Sequence, residues 1–128
     1  MNLLLDTNAW LWFVLGDPQL SAAAQAHILD PGNTKFVSPA SYWEISIKIS
    51  LGKYALNTPY PQFMRHAITG NGFRFLHISP YHTEQVSTLP FHHRDPFDRL
   101  LIAQALVEGM TLVSNDGNFA HYGIQVIW

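Results

Sequence analysis

Four carboxylates stand where this chain is expected to leave a strand or enter a helix: Asp6, Glu44, Asp98 and Asp116. Asp6 follows the apolar run Leu3-Leu4-Leu5 directly, and Asp116 comes three residues after Val113, so each is expected to project from a strand end. Glu44 and Asp98 fall in the second and first turns of helices expected to open at Pro39 and Pro96. Acids gathered in one place repel, each raising the pKa of the others unless a cation neutralises them. Mg²⁺ suits this role, because it takes hard oxygen ligands, usually one or two carboxylates, and keeps room for water and substrate phosphate oxygens. Such an ion polarises a phosphodiester, orients an attacking water and stabilises the leaving oxygen. The chemistry suggested is metal-assisted hydrolysis of a nucleic-acid backbone, with Asp6, Glu44, Asp98 and Asp116 as metal ligands and catalytic residues.

Each acid also has a purely structural use. Asp6 can cap the helix that follows it. Glu44 can pair with Lys48 at i,i+4 on a solvated face. Asp98, at the third helical position, is favoured by the helix dipole and can complete a capping box with Asp95. Asp116, within Asn115-Asp116-Gly117, suits a tight turn. Asp95 precedes Pro96 as a helix cap should and stays outside the set. The functional reading rests on the joint placement of four acids along one edge, not on any one of them.

The elements that must position these acids follow from period and punctuation. Leu3–Leu5 reads as a buried strand, Ala9–Leu15 as a helix stopped by Gly16, and Ser21–Leu29 as a second helix ending before the turn Asp30-Pro31-Gly32-Asn33. Lys35–Val37 reads as a strand, and Ser38-Pro39 opens a third helix with a broad apolar surface running to Gly52. Pro61–Thr69 is expected as helix, Phe73–Ile78 as strand and Pro80–Leu89 as helix. Asp95-Pro96 starts a helix that runs to Gly109, followed by the strand Thr111–Val113, a short helical turn at Asn118–His121 and a last strand over Gln125–Trp128. Strands alternating with helices imply right-handed crossovers and a mainly parallel sheet with helices on both faces, a three-layer α/β/α architecture. In such sheets ligands bind beyond the carboxyl ends of the strands, where strand order reverses, which is where Asp6 and Asp116 are expected.

Composition bounds the remaining possibilities. A length of 128 residues suits one domain spanning 1–128, and 48% hydrophobic with 12% charged residues indicates a folded chain. A net charge of −2 shows no basic balance, so contact with nucleic acid must come from a local patch or through bridging metal. The chain has no cysteine, which excludes disulfide scaffolds, thiolate zinc sites and cysteine nucleophiles. The opening segment fits neither a secretory signal nor a membrane span, so a soluble cytoplasmic protein is expected.

Other residues invite competing readings. Lys48, Arg94 and Arg99 can contact phosphates or serve as solvated charges. His92 and His93 can be grouped with His82 as a zinc site, but a place at the rim of the nucleic-acid site suits a polar loop better. Trp10, Trp12, Phe13 and Trp43 can stack bases or receive a partner helix, although aromatics at helical spacing usually belong to the core.

The chain resembles PIN-domain nucleases, and within them VapC-like toxins of type II toxin–antitoxin pairs. The resemblance spans essentially the whole chain. It is carried by Leu3-Leu4-Leu5-Asp6-Thr7-Asn8, Ser38-Pro39-Ala40-Ser41-Tyr42-Trp43-Glu44-Ile45, Asp95-Pro96-Phe97-Asp98-Arg99-Leu100-Leu101-Ile102-Ala103-Gln104-Ala105, and Leu112-Val113-Ser114-Asn115-Asp116 with Phe119. It implies a five-stranded parallel sheet, a Mg²⁺-dependent endoribonuclease with Mn²⁺ as a possible substitute, an RNA substrate, a cognate antitoxin that blocks the site, and a homodimer. By the same resemblance Asp6 and Asp98 hold the metal most directly, Glu44 and Asp116 complete the quartet, and Thr7, Asn8 and Ser114 support it. Asn115 departs from the basic or small residue that relatives often carry there. Two rivals remain. A small-molecule phosphatase with a strand-end aspartate nucleophile would resemble haloacid dehalogenases, but Asp6-Thr7-Asn8 lacks their second acid two positions on. A non-catalytic domain that keeps the fold for binding would not need crowded carboxylates.

Overall fold

The opening apolar run becomes the middle strand of a five-stranded sheet. In the computed structural model, which describes residues 1–128, β1 (Asn2–Leu5) is flanked by β2 (Thr34–Val37) and, across the chain, by β4 (Thr111–Val113). The short strands β3 (Arg74–Phe75) and β5 (Val126–Ile127) close the two edges, giving the order β3-β2-β1-β4-β5 with every pair parallel. Strand order therefore reverses between β1 and β4, where Leu5 lies opposite Val113 and the Asp6 N–H donates to the Val113 carbonyl at 3.1 Å.

The pleat sorts the core into two layers. Successive residues of a strand face opposite sides, so Leu3 and Leu5 pack with Trp10 of α1 (Thr7–Leu15), Ile28 of α2 (Ala22–Leu29) and Phe63 of α4 (Tyr60–Ala67). Leu4 and Leu112 pack on the other side with Leu89, which follows α5 (Pro80–Thr88), and with Leu101 and Ile102 of α6 (Pro96–Glu108). Helix α3 (Pro39–Ser50) stands across the edge and serves both layers, through Ile45 on one side and Ala40 on the other. The α/β/α architecture expected from the sequence is the one observed.

Local signals account for most helix ends. Asp6, Ser21, Ser38 and Asp95 each cap a helix with a side-chain oxygen, and prolines open α3, α5 and α6 at the first turn. Gly16 and Gly109 end α1 and α6 with φ of 65° and 64°, the left-handed conformation that a side chain disfavours.

The edges depart from expectation. Only Arg74 and Phe75 of the expected strand Phe73–Ile78, and only Val126 and Ile127 of Gln125–Trp128, form ladders. Each has a partner on one side only, and a strand without a second neighbour has fewer hydrogen bonds to extend it. Helix α3 stops at Ser50, short of Gly52, and the helix expected from Pro61 begins at Tyr60 and ends at Ala67. The turn near Asn118 is a 3-10 helix over Gly117–Tyr122. No helix is long and apolar enough to cross a membrane.

Candidate active site

The four acids meet at the carboxyl edge of β1 and β4. Asp6 leaves β1 as the cap of α1, its Oδ1 accepting the Ala9 N–H at 2.8 Å, and is only 8% exposed. Asp98 sits at the third position of α6. Asp95 Oδ1 accepts the N–H groups of Phe97 (2.8 Å) and Asp98 (3.1 Å), but the Asp98 carboxylate returns no bond, so the expected capping box is half made. Asp98 is the one carboxylate of the four that makes no hydrogen bond, and it points, half-buried, towards the other acids.

Glu44 and Asp116 are both engaged by the protein. Glu44 Oε1 accepts from Thr7 Oγ1 at 2.7 Å, and Glu44 Oε2 lies 3.2 Å from Lys48 Nζ. Thr7 Oγ1 is also 3.1 Å from Ser41 Oγ, which joins α1 to α3 at this point. Asp116 Oδ1 accepts the Asn118 N–H at 2.9 Å, its Oδ2 is 2.8 Å from His93 Nε2, and its own N–H donates to Ser114 Oγ at 3.0 Å. The turn-capping and ion-pair roles that compete with function in the sequence are therefore present, and they leave the acids facing one another.

The electrostatics grade the set. Burial pushes Asp6 above its ordinary pKa, outweighing the Ser114 hydroxyl and the Ala9 N–H, and the negative charges of Glu44 and Asp116 push it further. Burial likewise pushes Asp98 up from 3.8 to about 7, helped by Asp95, Glu44 and Asp6 and opposed by His93. Asp116 moves the other way. Its slight burial would raise it, but hydrogen bonds from His93 and the Asn118 N–H, with the rings of His93 and His121 nearby, hold it below the usual carboxylate range. Asp6 and Asp98 thus form an inner pair pushed up by burial and by the neighbouring acids, while Thr7 and Lys48 hold Glu44 and His93 holds Asp116.

The PIN domain family model matches residues 3–125. The chain belongs to the PIN domain family. PIN domains are typically nucleases and generally use a divalent metal. Solved structures with a similar fold include VapBC2 from Rickettsia felis bound to a DNA fragment from their promoter, with a TM-score of 0.73 at 19% identity over 100% of this chain and 99% of that one. VapBC-1 from nontypeable Haemophilus influenzae follows at 0.68 and 17%, over 99% and 97%, and FitAcB from Neisseria gonorrhoeae at 0.66 and 17%, over 98% and 96%. No curated protein sequence matches the chain at a significant level.

The donor set of this PIN domain fits a hard divalent cation. Asp6 and Asp98 offer carboxylate oxygens with uncompensated charge, and two carboxylates with water are what Mg²⁺ usually asks of a protein. No three histidine, aspartate or glutamate side chains stand close enough to enclose one ion between them. Of the supporting residues, Thr7 and Ser114 are buried and bonded as described, whereas Asn8 is exposed and makes no hydrogen bond to the acids. The largest cleft, about 420 Å³ and lined by residues such as Val14, Tyr54, Leu56 and Phe63, contains none of the four acids.

Three side chains have roles the sequence did not disclose. His93 is buried, stacked on Phe119 with ring centroids 4.6 Å apart, and aimed at Asp116. The neighbouring His92 is exposed against Tyr122 and His121, while His82 is buried between α5 and α6, bonded to Glu108 at 2.8 Å and to the Ser79 N–H. Arg99, offered above as a phosphate contact or a solvated charge, is neither. It is 7% exposed, and its guanidinium donates to the carbonyls of Val86, Leu89, Pro90 and His93, tying the loop before α6 to that helix. Spacing shows neither role, because the partners of His93 and Arg99 lie in other elements or in irregular loop. Arg94 is exposed.

Proposed function

We propose that this PIN domain is a Mg²⁺-dependent endoribonuclease, with Mn²⁺ able to replace Mg²⁺, and the toxin of a type II toxin–antitoxin pair. The observation that carries the nuclease reading is the inner pair: a buried Asp6 and a half-buried Asp98 without hydrogen bonds, both pushed above their ordinary pKa beside two further acids. Such a cluster stores repulsion that a bound cation relieves. Asp6 and Asp98 would hold the ion, with Glu44 and Asp116 completing the set. When bound, the ion would polarise the scissile phosphodiester and activate water.

The chain's own residues prepare that chemistry. Thr7 and Lys48 fix the Glu44 carboxylate from two sides, and His93 with the Asn118 N–H fixes that of Asp116. Ser114 anchors the turn that carries Asp116. The Ala9 N–H and the Ser114 hydroxyl hold the Asp6 carboxylate at the end of β1. The toxin reading, with a cognate antitoxin and a homodimer, is supported by the resemblance in the motifs and by a fold shared with VapBC and FitAcB proteins.

The test is cleavage of RNA by purified protein freed of any partner. Cleavage is expected with Mg²⁺ or Mn²⁺ and not in EDTA, and Asp6→Asn or Asp98→Asn should abolish it. Equal cleavage in EDTA, or by both variants, would overturn the mechanism. Expression without a partner should arrest growth where Asp6→Asn does not; a demonstrable nuclease without arrest would overturn the toxin reading alone.

A further inference from the structure

The four aromatics singled out in the sequence separate in the structure. Trp10 is fully buried and donates its indole N–H to the Ala67 carbonyl at 2.8 Å. Trp12 packs edge-on against Trp128 and Phe13 against Phe73, each with ring centroids 5.8 Å apart. Trp43 differs: it is 59% exposed and the only exposed residue of α3 between Pro39 and Ile49. Its one aromatic contact is Phe97, at 5.4 Å and 76°. An edge-to-face contact of this kind stiffens a ring without covering both its faces.

The two rings flank the acids. Trp43 immediately precedes Glu44 on α3, and Phe97 immediately precedes Asp98 on α6. Side chains one position apart on a helix diverge by about 100°, so the Trp43–Phe97 pair lies beside the acidic edge and not within it. We propose that Trp43, braced by Phe97, is the stacking platform for one base of a single-stranded RNA whose scissile phosphate would lie against the cation held by the acids; this rests on the nuclease reading above. Every base offers a flat π-face, and stacking on an exposed tryptophan is available only where the base is unpaired. The platform therefore favours single-stranded segments and tolerates any sequence at that nucleotide.

A partner helix is the other occupant an exposed tryptophan can have, and the surroundings do not suit it. A docked helix lays its apolar face into an apolar groove, and the neighbours of Trp43 on its own helix face lie three, four and seven positions along. The positions at those spacings after Trp43 are Ser46, Ile47 and Ser50, of which only Ile47 is apolar, and that one is half-buried. A lone flat ring beside carboxylates fits a base better than an extended protein surface.

The test uses Asp98→Asn protein, which should not cleave, in Mg²⁺ with a short single-stranded RNA of mixed sequence. Adding Trp43→Ala should weaken binding about tenfold, within the range measured when a stacking aromatic is removed, while Trp43→Phe should stay within about threefold because the phenyl ring still stacks. In the otherwise native enzyme the same loss should appear in KM more than in kcat, and thermal unfolding should confirm that the exposed substitution leaves the fold intact. Binding that is unchanged by Trp43→Ala, or absent in the parent, overturns the proposal. So does a Trp43→Ala protein that binds RNA normally but loses its antitoxin, which assigns the ring to the protein partner. If native protein shows no metal-dependent cleavage while the Trp43→Ala loss of RNA binding persists, the nuclease reading fails and the platform stands.

Discussion

Replacing Asp98 by asparagine should make the metal-free protein more stable while destroying its activity. Asp98 is half-buried, makes no hydrogen bond and faces Asp95, Glu44 and Asp6, which together with burial push its pKa from 3.8 to about 7. The native state therefore keeps this proton over a pH range where the unfolded chain has released it. Because the native state then binds more protons, stability falls as pH rises from about 4 to 7, and the full cost of the bare carboxylate is present above that window. At 1.36 kcal/mol per pH unit the interval corresponds to ~4 kcal/mol. Water still reaches Asp98 and screens it, which reduces the figure to about 1–2 kcal/mol. Asp98→Asn removes that charge in nearly the same shape, so at pH 8 in EDTA it should raise Tm by roughly 3–10 °C for a chain of this size, and at pH 4.5 by much less. Saturating Mg²⁺ should stabilise the native protein more than the variant. Calorimetry at the two pH values, with and without Mg²⁺, reads all four quantities. A variant destabilised at pH 8, or equally stabilised at both pH values, would refute the account of Asp98 as an unneutralised acid.

Two further substitutions separate positioning from scaffolding. His93→Ala removes the only side chain that bonds Asp116 Oδ2, and RNA cleavage should fall roughly 10–100-fold, the usual cost of losing the partner that orients a ligand; a folded variant with native activity would refute that role. Arg99→Ala leaves the carbonyls of Leu89, Pro90 and His93 without the guanidinium and should destabilise the protein by about 3 kcal/mol or more in urea, with Arg99→Lys recovering only part because an ammonium cannot fork. Native stability combined with weakened RNA binding in Arg99→Ala would instead return Arg99 to a phosphate-binding role.

Much of the fold was legible because the signals that specify it are local. An apolar triplet followed by Asp6, a Ser-Pro or Asp-Pro helix start and a glycine stop act within a few residues, and Asp6, Ser38, Asp95, Gly16 and Gly109 all do in the structure what their types predict. The edge strands are shorter than their sequence pattern because ladder length depends on neighbours, and β3 and β5 each have only one. Helical spacing does not say which face a helix buries, and the structure puts Trp10 in the core and Trp43 in solvent.

The candidate site divides the same way. The sequence alone determined which four acids end strands or open helices, and with them the edge of the sheet where chemistry belongs, since both follow from chain order and the right-handed parallel crossover. Only the tertiary structure decided how those acids differ. His93 reaches Asp116 across 23 positions, and Thr7 reaches Glu44 across 37. The Asp98 carboxylate is left without a hydrogen bond, among Asp95, Glu44 and Asp6. The pKa of a carboxylate is set by burial and by every charge within a few ångströms, and those neighbours come from strands and helices far apart in the chain.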